Sequence, residues 1–197
     1  MNSYFFYHPF FYKAAIKSNS NNDLSGLTIR AAKNSELHAV AEVLTDSFHP
    51  ANGLFFWMYP LVKLGIYEDL RTRINSGSPH YFCLVAIKSE KLVGTIEVSL
   101  KSVCPWSSFT NQYPYIANLA VSKSYRKQGI GKQLLLKCEQ VAFEWGFSEI
   151  YLHVLEDNES AKKLYFAAGY RLRKVECNFT DWLFKRPKKL LLSKSFQ

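Results

Sequence analysis

The chain has 197 residues, 25 of them Lys or Arg and 16 Asp or Glu, which gives a formal net charge of +9. That length suits one well-buried domain, and an apolar share of 48% excludes a disordered tail protein. The positive balance favours an anionic partner, and composition does not choose among nucleic acid, an anionic membrane and a phosphorylated cofactor.

Cys83, Cys104, Cys138 and Cys177 are scattered, with neither a CxxC pair nor a Cys/His cluster. A zinc site or a disulfide framework is therefore not expected, no metal is predicted, and the pattern suits a reducing compartment. No apolar run approaches the ~18 residues that a bilayer-spanning helix needs. Residues 1–26 are aromatic at the front, rich in Ser and Asn behind, and carry no acid before Asp23. They read as a flexible extension ahead of a domain over residues 27–197. The expected location is the cytoplasm; the acid-poor, Ser-rich start leaves a transit peptide, and with it the plastid stroma, as the alternative.

In chain order, residues 27–30 are short and β-branched, a first strand. Asn34 or Ser35 then offers a cap for a helix whose apolar positions Leu37, Val40, Ala41, Leu44 and Phe48 form one stripe. Residues 58–74 read as a second, less regular helix closed by the turn-rich segment 75–79. Residues 81–87 are apolar almost throughout and predict a central strand. With residues 92–100 they make a hairpin turned at Ser89, Glu90 and Lys91. Residues 115–121 form another strand. Ile130, Leu134, Leu135, Cys138, Val141, Ala142 and Trp145 then mark the buried face of a helix that Gly146 ends. Residues 149–155 are a fifth strand. Asn158 caps a short helix with Ala161, Leu164, Tyr165 and Ala168 on one face, and Gly169 stops it. Strands over residues 170–176 and 190–192 close the chain.

The most informative segment runs from Leu119-Ala120-Val121 to Arg126-Lys127-Gln128-Gly129-Ile130-Gly131-Lys132. A strand enters a loop with two spaced glycines, and the loop opens a helix. Such a turn leaves backbone N–H groups without helical acceptors, and the helix dipole favours negative charge there. Gly129 and Gly131 let the main chain approach a ligand closely. Lys123, Arg126, Lys127 and Lys132 add positive charge, with no acid between residues 121 and 137. A pyrophosphate is the natural guest. A Walker loop is excluded because Gln133 follows Gly131-Lys132, and the dinucleotide fingerprint fails at Leu134.

Arg126-x-x-Gly129-x-Gly131 after Leu119-Ala120-Val121 resembles the acetyl-CoA loop of GNAT acetyltransferases. Asn158-x-x-Ala161-x-x-Leu164-Tyr165-x-x-x-Gly169-Tyr170 resembles the second signature of that family. The resemblance covers about residues 27–192. Residues 115–131 and 151–170 are most similar to catalytic subunits of protein N-terminal acetyltransferases. Residues 55–73 and the RPKKLLLSK tail resemble a cyanobacterial and plant-plastid branch.

The resemblance implies an α/β GNAT fold, a mixed and mostly antiparallel sheet flanked by helices. Two parallel strands, 115–121 and 149–155, would splay apart to hold acetyl-CoA. By the same resemblance the backbone of Leu119, Ala120 and Val121 takes the pantetheine, Arg126 to Lys132 take the pyrophosphate, and Asn158 and Ala161 flank the cofactor. Tyr165 matches the tyrosine beside the sulfur, and its phenol suits protonation of a departing thiolate. His153, with Tyr115 as its partner, matches the base of one branch; Glu97 is a rival by type and place. The acceptor amine must be neutral to attack. That costs roughly 1 kcal/mol at pH 7 for an N-terminal α-amine and nearer 5 for a lysine. The expected acceptor is a protein or peptide with a free α-amine, or a lysine; a small amine and a non-catalytic acetyl-CoA sensor stay open. Nucleic acid is not an expected partner, for no RNA-binding motif is present.

Overall fold

A computed structural model describes residues 24–48, 58–102, 112–176 and 187–196. The N-terminal extension up to residue 23, the aromatic segment 103–111 and the tail segment 177–186 lie outside the described residues. β1 (Leu27–Ala31) leads through a 3-10 turn into α1 (Leu37–Phe48) and then α2 (Tyr59–Asn75). β2 (Tyr81–Lys88), β3 (Lys91–Ser102) and β4 (Gln112–Val121) follow, then α3 (Ile130–Glu144), β5 (Glu149–Leu155), α4 (Glu159–Ala167), β6 (Arg171–Glu176) and β7 (Lys189–Ser195). The strands make one sheet in the order β1-β2-β3-β4-β5-β7-β6. Among them β4 and β5 alone run parallel. This is the mixed, mostly antiparallel sheet that the resemblance implies.

Alternation along β2 explains why that strand is apolar throughout. Leu84 and Ala86 face one core with α3, while Cys83 and Val85 face a second core with α1 and α2. The β2–β3 hairpin turns at Ser89 and Glu90, both at positive φ, as a two-residue loop of the favoured hand requires. In α3, Ile130, Leu134, Leu135, Cys138, Val141 and Ala142 are all fully buried, so the predicted stripe is the core face. Each such leucine contributes about 1.5–3 kcal/mol by its removal from water. Gly146, at φ +85°, ends α3 as a C-terminal glycine should.

Three details differ from the sequence reading. Neither Asn34 nor Ser35 caps α1: both lie within the 3-10 turn Asn34–Glu36. There the Glu36 carboxylate accepts the Lys33 N–H at 2.8 Å and pairs with Arg30 at 2.5 Å. A side chain that can reach back to the strand displaces the local cap. Phe48, the last residue of the α1 stripe, is 50% exposed because the helix ends as it leaves the core. β7 extends past the apolar run 190–192 to Ser195, since Ser193 is buried and hydrogen-bonds the Glu149 carboxylate at 2.9 Å.

Candidate active site

β4 and β5 are joined at Tyr115↔Tyr151 and Ile116↔Leu152 alone. Beyond that point each continues without pairing to the other, which opens a wedge. The cause lies in β4. Its register against β3 slips between Thr95↔Ala120 and Glu97↔Ala117, so Asn118 and Leu119 face the single residue Ile96. Asn118 sits at φ +52°. An extra residue in one strand bends it and sharpens its twist. Asparagine takes such a φ more readily than most side chains do. The stretch Leu119–Val121 therefore offers β4 backbone to the wedge with no β5 partner.

Glu97 holds that bulge. It is 3% exposed and accepts hydrogen bonds from Asn118 Nδ2 at 2.7 Å and from the Tyr81 hydroxyl at 2.8 Å. The Arg73 guanidinium stands 3.3 Å away. Next to this carboxylate, burial and the nearby negative charge push the Tyr81 phenol well up. With its oxygens engaged by these three donors, Glu97 acts here as an anchor for Asn118. Glu97→Ala is expected to cost about 3 kcal/mol, because it strands the Tyr81 hydroxyl and the Arg73 charge. The urea midpoint of unfolding checks this, and an unchanged midpoint would remove the anchor role.

At the end of β4, residues 122–129 turn into α3. The Arg126 Nε donates to the Val121 carbonyl at 2.8 Å, and Gln128 receives Lys88 Nζ at 3.0 Å and donates to the Ser124 carbonyl at 3.3 Å. These side chains shape the loop. Lys127 (φ +61°) and Gly129 (φ +83°) both take left-handed backbone. The first α-helical bond runs from Gln133 N–H to the Gly129 carbonyl, 3.1 Å. The amides of Ile130, Gly131 and Lys132 precede it and have no helical acceptor, as a phosphate-binding turn requires. Ile130 is buried and pins the turn to the core, while Lys123, Arg126, Lys127 and Lys132 are exposed around it. Gly131 has a second reason to be glycine: a Cβ there would stand 3.0 Å from Leu164 Cδ2 of α4. Asn158 caps α4 as expected, its Oδ1 accepting the Ala161 N–H at 3.1 Å.

On the α1–α2 face of the sheet, next to the wedge, the Tyr115 hydroxyl lies 2.9 Å from His153 Nδ1, and His153 Nε2 lies 3.1 Å from Glu176 Oε2. A carboxylate only accepts, so Nε2 carries the imidazole proton and Nδ1 presents its lone pair to Tyr115. His153 and Glu176 sit on strands that do not touch; β7 runs between them. Tyr165 of α4 is 7% exposed, and burial, with the Tyr115 phenol adding, pushes its pKa up to about 12. The structure thus brings Tyr115 and His153 together, while Tyr165 packs in the core on the α3 side, near enough to Tyr115 for the two phenols to interact, with the loop 126–132 at the other end of β4's free stretch. Sequence reasoning did not reach Asn118 or Glu176. A lone Asn inside an apolar strand is a weak sign of a bulge, and nothing local marks Glu176. Among the described residues no group of His, Cys, Asp and Glu could hold a metal ion.

The model of the acetyltransferase (GNAT) family matches residues 31–170. The chain is 30% identical over 176 residues to GCN5-related N-acetyltransferase 10, chloroplastic, of Arabidopsis thaliana, covering 82% of this chain and 68% of that protein. It is 33% identical over 109 residues to a thialysine N-epsilon-acetyltransferase of Bos taurus, covering 52% of this chain and 62% of that one. Among solved structures, the PaiA N-acetyltransferase of Thermoplasma acidophilum, in complex with coenzyme A, shares the fold. Its TM-score is 0.64 at 19% identity, over 86% of this chain and 99% of that one.

Proposed function

The chain belongs to the acetyltransferase (GNAT) family and is an acetyl-CoA-dependent N-acetyltransferase; from that premise we propose that it acetylates free protein N-terminal α-amines, with lysine ε-amines as a second acceptor class. The observation that carries this reading is the chain of contacts Tyr115–His153–Glu176 beside the wedge. An α-amine is nearly half neutral close to pH 7.7–8.0 and needs only a modest base. Histidine linked outward through a tyrosine hydroxyl is such a base. The free backbone of Leu119–Val121 would hold the pantetheine arm of acetyl-CoA and the amides of the first turn of α3 its pyrophosphate, and Tyr165 would give its proton to the departing thiolate. The lone pair of the amine attacks the thioester carbonyl, the C–S bond breaks, and the proton of the new amide nitrogen passes through Tyr115 to His153.

A second reading, a small free amine, draws support from the likeness to the Bos taurus thialysine enzyme. The plastid location draws support from the chloroplastic names of several Arabidopsis relatives. The test follows CoA thiol release on peptides with a free N-terminus, on N-blocked peptides with one internal lysine, and on thialysine, with product mass locating the acetyl group. Turnover on free N-termini is the expected result. Turnover on the small amine alone would replace the peptide reading.

A further inference from the structure

Lys101 is the penultimate residue of β3 and stands opposite Tyr113 of β4 in the sheet register. Its Nζ lies 3.3 Å from the centroid of the Tyr115 ring. The hydroxyl of that same ring is 2.9 Å from His153 Nδ1. An amine of the chain itself therefore rests on the group that, on the reading above, relays the proton of an acceptor amine. The tether is short and rigid at its base, since Lys101 and Tyr113 are cross-strand partners and Tyr115 follows two residues later.

The charges around Lys101 do not neutralise it. Lys189 of β7 is the near charged neighbour and is of like sign. On β6, Glu176 is bonded to His153 and stands 3.9 Å from Lys174. Tyr113 and Tyr151 bring rings to the same face. No acid pairs with Lys101 among the described residues. Partial burial and Lys189 together hold the Lys101 ammonium below the ordinary lysine range. An amine held beside the reacting centre also gains the advantage of an intramolecular step.

We propose that Lys101 is a modification site of the protein's own reaction, acetylated on Nζ within one molecule by acetyl-CoA seated in the β4–β5 wedge. The inference rests on the assignment of Tyr115, His153 and Tyr165 given under the proposed function. Neutral Nζ attacks the thioester carbonyl, the N–C bond forms and the C–S bond breaks. The amine's proton passes through Tyr115 to His153, and the CoA thiolate takes the Tyr165 proton. The products are acetyl-lysine, without its positive charge, and free CoA.

The full chain is incubated with acetyl-CoA and no acceptor at two protein concentrations tenfold apart, and digested for mass analysis. The exposed Lys163 serves as the reference for purely chemical acetylation. Lys101 is expected to gain an acetyl group at least tenfold faster than Lys163, at the same fractional rate at both concentrations. In Tyr165→Phe the rate at Lys101 is expected to fall to that of Lys163, and Lys101→Arg removes the signal from that peptide. An unmodified Lys101 in a preparation that turns over a free-N-terminus peptide would sink the inference and leave the peptide reading standing. Acetylation of Lys101 that is undiminished in Tyr165→Phe, or that rises with protein concentration, would sink it too. Silence at Lys101 and on every peptide would take both down.

Discussion

Tyr165→Phe should lower kcat by about 10²- to 10³-fold while leaving the KM for acetyl-CoA within a few-fold of the parent value. The phenol is placed for this by α4, which buries the ring beside Tyr170 at 5.9 Å between centroids. Phenylalanine keeps that packing and removes the proton alone, so the fold should survive the change. Burial raises the Tyr165 pKa from 10.0 to about 12. A raised value means that the proton-bearing form persists to higher pH. The parent kcat should therefore hold between pH 8 and pH 10, where a phenol of ordinary pKa would be half ionised. Stopped assays across that range, on parent and variant, decide the matter. An undiminished kcat in the variant, or a parent profile that halves by pH 10, would rule out Tyr165 as the acid.

The second large effect is expected at the relay. His153→Ala should reduce kcat/KM on a free-N-terminus peptide by about 10²-fold at pH 7, and Tyr115→Phe by a similar factor. Because Tyr115 and His153 share one hydrogen bond of 2.9 Å, the double variant should be little worse than either single one. The deficit should shrink as pH rises past ~8, since the α-amine then reaches the site already neutral and the base has less to do. Glu97→Gln provides the comparison. Glu97 is engaged by Asn118, Tyr81 and Arg73, so a role in proton removal would show as a loss steeper than that of His153→Ala. Additive losses at Tyr115 and His153 would separate the two residues and dissolve the relay.

Much of this site was readable from residues alone, for a reason that is local. The glycine turn into α3 is a run of consecutive residues shaped by its own backbone, so Gly129, Gly131 and the cations around them stand together in the sequence. The α3 stripe and the β5 span Glu149–Leu155 follow from periodicity, and the structure keeps them. What the sequence did not reveal depends on partners distant along the chain. Glu97 gains its meaning from Asn118, 21 residues later, and from Arg73, 24 earlier. Glu176 reaches His153 across 23 residues and an intervening strand. The cap at α1 failed for the same reason: Asn34 and Ser35 have the right chemistry, yet Arg30 on β1 draws Glu36 into the role instead. Gly131 shows a subtler limit. Its spacing suggested room for a ligand, and the structure adds a close contact with Leu164 that no reading of the loop could contain.

The position of β7 bears on the order in which a growing chain can become active. This strand is inserted between β5 and β6, so the two partners of the His153–Glu176 contact are held in place by residues 189–195, which follow both of them in synthesis. A ribosome that has delivered residue 176 has made Tyr115, His153 and Glu176, yet the strand that sets Glu176 beside His153 is still to come. Until β7 threads into the gap, β5 presents an open edge of unpaired amides and carbonyls, and such an edge invites pairing with other chains. The His153–Glu176 contact is thereby tied to completion of the sheet, and a fragment cut short of Lys189 would keep the glycine turn into α3 while leaving the β5 edge open.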